Sequence, residues 1–289
     1  MTTSTTPLGR PELTRPVSAK LAATPWGLYL SIAVLLFFVV AAVVPVALAT
    51  QDPYAMNLTQ SLQPPSFAHW FGTDESGRDL YSRVIFGTRE SLLIGVGATA
   101  VSLTLALVLG SLAALAGRFA SAAVNRLIEV LFAFPTLLLA LLLVAVIGPS
   151  AWSQVVAVGI GTAPGYARII RGQILTAKDS GYVEAAVALG HPRSWILRTH
   201  VLPNALRPLV AIFALSVGQS IVWASSLSFL GLGVAPPSPE WGALLDAGKQ
   251  YITVAGWLTV LPGLVIVVLA LAATTLGKHI QNILEKAEK

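Results

Sequence analysis

The chain has 289 residues, of which 55% are hydrophobic and 11% charged, with a mean hydropathy of +0.76. Soluble domains carry about a quarter charged residues, so the composition excludes a soluble globular protein and fits a chain solvated by lipid. Cysteine is absent, which removes disulfides, thiol nucleophiles and cysteine metal sites, and membrane topology accounts for the net charge of +5 without a nucleic-acid surface.

Residues 1–27, rich in Thr and Pro with few large apolar side chains, are expected to form a disordered tail. A membrane-crossing helix needs about 20 apolar residues, and Leu28 to Ala49 is the first such run. Ala47-Leu48-Ala49 resembles a signal-peptide cleavage site, but the run is longer than a signal core and its leading tail is long, so an uncleaved anchor is expected. Ser91 to Gly117 is the second run. The charge-free stretch Val130 to Ala167 is too long for one crossing and is divided at Gly148-Pro149-Ser150 into Val130–Ile147 and Ala151–Ala167. Pro208 to Val234 supplies a fifth helix, ending near Ser226, and Gly256 to Leu276 a sixth. The fold class expected is all-α: a polytopic membrane protein with six transmembrane helices and both termini on one side.

The side follows from Lys and Arg. Of the 18, all but Arg78, Arg83, Arg89 and Lys249 fall on the face that carries the termini, while acidic residues divide almost evenly. The positive-inside rule makes that face cytoplasmic. The external segments are then 50–87, containing Phe71-Gly72-Thr73-Asp74-Glu75-Ser76-Gly77-Arg78-Asp79-Leu80, and 227–255, containing Pro236-Pro237-Ser238-Pro239-Glu240-Trp241-Gly242. Both hold too many polar and turn residues for lipid; they are ordered connectors or a cap over the outer mouth of a pathway. Trp70, Trp241 and Trp257 are expected as interface anchors, and Gly95, Gly97 and Gly110 as close-packing positions.

The most distinctive stretch is a cationic island, 168–207, holding Arg168, Arg171, Lys178, Arg193, Arg198 and Arg207 against Asp179 and Glu184. Asp179 or Ser180 can cap a helix, and Ala185, Ala186 and Ala188 favour one. Tyr182, Ala186 and Leu189 fall at spacings of four and three, which puts them on one face. Gly190 suits a left-handed C-cap, with Pro192 two residues on. The expectation is a short helix, a sharp turn, and a second helix ending near Leu202-Pro203. A slim helix of this kind can lie in a groove on another protein, and Glu184 places a negative charge near its favourable end.

At this point a resemblance is specific. Glu184-Ala185-Ala186, three residues, Gly190, nine residues, a residue pair and Leu202-Pro203 resembles the cytoplasmic signature of permease subunits in binding-protein-dependent ABC importers. His200 stands where isoleucine is most frequent, and His before Val-Leu-Pro-Asn resembles the dipeptide/oligopeptide/nickel branch. The segments Phe71–Leu80, Ser82-Arg83, Gly87-Thr88-Arg89 and Ser226–Gly233 resemble the second permease subunit of that branch. The resemblance implies a type I importer permease with a core at 88–277, a coupling loop at 168–207 and a cytoplasmic tail at 278–289. It implies that Glu184, Ala185, Ala186, Leu189, Gly190, His200, Leu202 and Pro203 couple the chain to ATPase subunits. Implied partners are a second homologous permease, one or two ABC ATPases, an extracytoplasmic peptide-binding protein and membrane lipid. No cofactor is implied on this chain, ATP and magnesium belonging to the ATPases; the location implied is the bacterial inner membrane, and the cargo di- or oligopeptides, with nickel or another small solute as the alternative.

Rival classes lack their chemistry. A serine hydrolase needs a His or Lys base near its nucleophile, yet every His and Lys lies outside the six runs, leaving the serines of Gly148-Pro149-Ser150 and Gly218-Gln219-Ser220 as packing residues. His191 and His200 are expected to be solvated or capping. A secondary transporter usually keeps Asp, Glu or His inside its bundle, and none lies in these runs. Neither Gly248-Lys249 nor Gly277-Lys278 is followed by Ser or Thr, so no phosphate-binding loop is present.

Overall fold

The computed structural model describes residues 25–287; the expected tail up to residue 24 lies outside the described residues. Helix α1, Pro25–Val43, is apolar all round. It shows Trp26, Leu30, Leu36 and Val39 outward while Phe38 and Ala41 are buried, as a helix facing lipid on one side and protein on the other should be. It stops short of the expected Ala49 because Pro45 has no N–H to continue the ladder, and a 3-10 turn follows at Pro45–Ala47.

Helix α2, Leu80–Leu115, has 36 residues, a length of about 54 Å, and so extends well beyond a hydrocarbon core of about 30 Å. It begins eleven residues before the expected Ser91, where Asp79 caps it by accepting the Ser82 N–H at 2.8 Å. The next expected span, Val130–Ile147, is not one helix. It is shared between α3, Arg118–Ala133, and α4, Thr136–Ile147, which meet at 93°. The cause is Pro135: the residue before a proline is driven out of the helical region, and Phe134 is extended at φ −82°, ψ 135°.

Helix α5, Ala151–Lys178, starts at the Ser150 cap, whose hydroxyl accepts the Ser153 N–H at 3.0 Å. It runs eleven residues past the expected Ala167, so the cationic island begins inside a helix rather than in a loop. Four short elements follow: α6, Gly181–Ala188; α7, Arg193–Ile196; a π turn at Leu197–Val201; and α8, Leu202–Leu206. Helix α9, Leu209–Leu227, ends in a second π turn at Ser228–Leu232. Helix α10, Trp241–Gly248, lies in segment 227–255, and α11, Trp257–Ala287, closes the described chain, continuing through residues expected as a tail.

All regular elements among the described residues are helical. Trp26–Val43, Leu80–Leu115, Leu209–Leu232 and Trp257–Lys286 are long and apolar enough to cross a membrane, and the bent α3–α4 pair makes a fifth candidate. Helices α2 and α5 pack along most of their length, and α9 lies against both α2 and α11. Small residues set the distances, as they do where lipid supplies no hydrophobic drive for association. A Cβ on Gly95 would lie 2.2 Å from Ile221, and one on Gly110 2.7 Å from the Ala167 carbonyl oxygen. Buried hydroxyls cross the same interfaces: Thr99 donates to Ser220 at 3.0 Å and Thr162 to Ser102 at 2.8 Å.

Substitution should separate packing from helix propensity. Gly110→Ala is expected to destabilise the chain by about 1–3 kcal/mol through overpacking against backbone. Gly172→Ala, in α5 with open space around its Cβ, should stabilise it by up to about 1 kcal/mol. Thermal unfolding of the detergent-solubilised chain checks the order, and a Gly110→Ala protein that melts above Gly172→Ala would contradict this packing.

Candidate functional site

Two places hold the functional groups: the end where segments 50–87 and 227–255 meet, and the α6–α8 projection at the other end of α5. At the first, buried Asp79 accepts from the Ser82 hydroxyl at 2.7 Å and pairs with His69 at 3.0 Å. Asp74 accepts the Arg78 Nε–H at 2.7 Å and lies 3.6 Å from Arg83 Nε. The first segment is thus a folded unit organised around carboxylates. It is tied to the second, where Arg83 donates to the Pro237 carbonyl at 3.4 Å and the Trp241 indole N–H to the Val84 carbonyl at 2.9 Å. Trp241 is fully buried, stacked edge-on against Phe38, so it anchors the core and not the lipid interface. Trp70 is exposed and Trp257 half-buried.

Glu240 is the hub of this end. Its carboxyl accepts the Gly242 and Ala243 N–H groups, both at 2.8 Å, capping α10, and the hydroxyls of Ser228 at 2.9 Å and Ser91 at 3.3 Å. Gln154 extends the network by donating to Ser228 at 2.6 Å, so α2, α5, the α9 π turn and α10 meet through one polar cluster. Burial pushes the Glu240 carboxyl above the ordinary carboxylate range, against the pull of its N–H and hydroxyl donors, with the Glu90 charge adding to the rise. Glu240→Ala removes a cap and orphans buried hydroxyls, and is expected to cost about 2–4 kcal/mol. Glu240→Gln, neutral and retaining one acceptor oxygen, should cost about half as much. Unfolding temperatures in detergent test the ranking, which an unshifted Ala variant would break.

At the projection, Ser180 precedes α6 as expected, though its hydroxyl donates back to the Ala177 carbonyl at 2.6 Å rather than capping the new helix. Gly190 is left-handed at φ +81°. The Gly190 N–H reaches the Val187 carbonyl at 3.0 Å and the His191 N–H the Ala186 carbonyl at 3.2 Å, the paired bonds of a Schellman stop. The expected stripe Tyr182–Ala186–Leu189 is divided. Ala186 turns inward with Val183, joining Ile174 and Ala177 of α5 and Ile196 and Val201, while Tyr182 and Leu189 face outward with Ala185. Gly-Tyr-Val-Glu-Ala-Ala-Val-Ala supports either stripe by spacing, and the better-filling Val183 is the one buried. Leu189 is 76% exposed, Val187 60% and Tyr182 44%; Glu184 is exposed in the first turn.

The second helix does not end at Leu202-Pro203. At the π turn the Leu202 N–H reaches the Leu197 carbonyl, and α8 continues past Pro203, which has no N–H to give, to Leu206, with Leu202 half-buried and Pro203 exposed. His200 is half-buried in an aromatic row, 5.1 Å from Trp195 and 6.0 Å from Tyr182, and His191 stacks on Trp195 at 4.0 Å. Neither histidine is a cap. Trp195 and Val183 were not singled out by the sequence; an aromatic three residues past Pro192 was the available signal. Among the described residues no cluster of His, Asp and Glu could hold a metal.

A bundle of long apolar helices thus carries, at the end of α5, a short helix with Val183 and Ala186 buried against it and Tyr182, Val187 and Leu189 exposed. The chain matches the family model described as "Binding-protein-dependent transport system inner membrane component" over residues 106–288 and belongs to that family, as an inner-membrane ABC importer permease. It is 39% identical over 238 residues to the probable D,D-dipeptide transport system permease protein of Escherichia coli K12, covering 82% of this chain and 80% of that one. It is 38% identical over 243 residues to a di/tripeptide transport system permease protein of Pseudomonas aeruginosa, covering 82% and 80%. A glutathione transport system permease protein of Pectobacterium atrosepticum is 40% identical over 221 residues, covering 76% and 73%. The fold is similar to that of an amino acid ABC transporter, with TM-score 0.59 and 18% identity over 72% of this chain and 94% of that one. It is also similar to an inward-facing methionine ABC transporter, with TM-score 0.53 and 18% identity over 68% and 96%.

Proposed function

We propose that this chain moves di- or oligopeptides across the inner membrane by alternating access, driven by ATPase chains that grip α6. The observation that carries the reading is the α6 geometry: Val183 and Ala186 fasten the helix to the α5 end of the bundle, while Tyr182, Ala185 and Leu189 lie open. Exposed apolar side chains grouped on one rigid element mark a protein contact, and a short helix bearing small residues suits a groove. Peptide as cargo is supported by the names of the relatives.

In this reading the chain crosses the membrane six times, through α1, α2, the bent α3–α4 pair, α5, α9 and α11, with both termini, α6 and the coupling loop cytoplasmic. Segment 50–87 is extracytoplasmic and the permease core spans 88–277. Glu184, Ala185, Ala186, Leu189 and Gly190 form the coupling element, with His200, Leu202 and Pro203 backing it. A second permease completes the path, a peptide-binding protein delivers cargo to the outer end, and ATP and magnesium act on the partner ATPases, with no cofactor on this chain. Closure of the ATPases displaces α6, and the rigid α5 carries that displacement into the bundle, biasing a two-state packing.

The test uses the complete transporter in proteoliposomes. Glu184→Lys and Gly190→Pro are expected to leave membrane insertion intact and to reduce ATP-dependent peptide uptake by tenfold or more, on the order expected when a two-state element loses its bias. ATP hydrolysis should no longer respond to loaded binding protein. Normal uptake by a stably inserted Gly190→Pro protein would overturn the coupling role.

A further inference from the structure

A cavity of about 520 Å³ opens between the α3–α4 bend, the middle of α5 and α9, within the size range of small-molecule sites. Phe132, Phe134 and Trp223 give it an aromatic wall, and its one charged lining residue is Arg168. The Arg168 guanidinium lies 4.0 Å from the centre of the Phe132 ring. Among the described residues, the ion pairs leave it without a carboxylate partner. The Tyr166 hydroxyl donates to Gln219 Oε1 at 3.0 Å, linking α5 to α9 across the same space and leaving the Gln219 amide N–H groups as donors.

Arg168 is exposed and, in the reading above, stands where α5 passes into the coupling loop; an arginine at the edge of a membrane helix is costly unless it faces water or an anion. Stacking on Phe132 covers a face of the guanidinium and fixes its plane, while its N–H edge, the part that forks onto a carboxylate, stays open. No acidic residue lines the cavity, so it favours an anionic group and disfavours an ammonium. The aromatic wall adds contact without demanding a particular shape. A single fixed cation beside an adaptable apolar surface matches the feature common to all linear peptides: a terminal carboxylate, whatever the side chains.

We infer that this cavity is a substrate subsite of the translocation pathway, in which Arg168 takes the terminal carboxylate of the peptide and Gln219 meets its backbone. The inference rests on peptide being the cargo. It makes Arg168 a specificity residue of the path, distinct in role from the rest of the cationic island.

The experiment compares one labelled peptide as free acid and as C-terminal amide, both first shown to bind the binding protein, in proteoliposomes of the whole complex. Wild type, Arg168→Gln and Arg168→Lys are measured in parallel. The binding protein's own preference is common to all three, so a change in the acid-to-amide ratio reports this chain alone. The expected result is that Arg168→Gln lowers free-acid uptake on the order of tenfold, the loss of a charge-assisted pair, and leaves amide uptake unchanged, with Arg168→Lys in between. Equal loss for both forms in all variants would make Arg168 a contact with another subunit, and no loss in either would make it idle; both overturn the subsite. Peptide uptake with an unaltered ratio removes the subsite and leaves peptide transport standing. A wild-type complex that moves neither form removes the peptide reading itself.

Discussion

The contact between α2 and α5 is the constraint on which the other features depend. Lipid tails are as apolar as leucine, so helices inside a bilayer gain nothing from hiding apolar side chains from it and must gain from close approach and from hydrogen bonds across the interface. Gly110 against the Ala167 backbone and Gly159 against Val101 allow that approach, and Thr162 with Ser102 supplies the bond. Because α5 is clamped along the bundle in this way, with Ile170, Ile174 and Ala177 still buried near its far end, α6 is presented at a fixed place.

The two ends of the chain are stabilised by different physics. The end formed by segments 50–87 and 227–255 is polar: Asp74, Asp79 and Glu240 each gather several donors, and their burial is tolerable because nearly every carboxylate lone pair is used. The α6 end is apolar, a cluster of Ile, Val and Ala that fastens one edge of α6 while leaving the opposite edge bare. Between them, the Arg168 cavity lies on α5, the helix that joins both.

Much of this was legible in the sequence, and the exceptions have physical causes. Apolar runs located the helices, and Gly190 with Pro192 located the stop of α6, because a left-handed residue has few alternatives to glycine. The Phe134-Pro135 bend was signalled by proline but masked by the uninterrupted apolar run around it. The end of α5 was misplaced because charge marks where a chain leaves lipid, not where a helix ends; Arg168, Arg171, Gln173, Leu175, Ala177 and Lys178 after Ala167 favour helix. The inward stripe of α6 could not be fixed because its octet is apolar on nearly every side. Trp241 was assigned to the lipid interface from residue type alone, whereas its indole N–H finds a carbonyl in the core, a pairing that depends on two segments far apart in sequence. The Arg168–Phe132 contact is of the same kind and joins residues on different helices.

The central claim is that the open face of α6 is the surface on which the ATPases act. The chain has no cysteine, so Leu189→Cys introduces a unique thiol on that face, and Gly172→Cys a matching one on the exposed side of α5. Cross-linking in the intact transporter, with a short thiol reagent and with and without ATP, tests the claim most directly. The account predicts a cross-link from position 189 to an ATPase chain, changing with nucleotide, and none from position 172. A thiol at 189 that stays freely reactive in the assembled complex and joins no ATPase chain would contradict it.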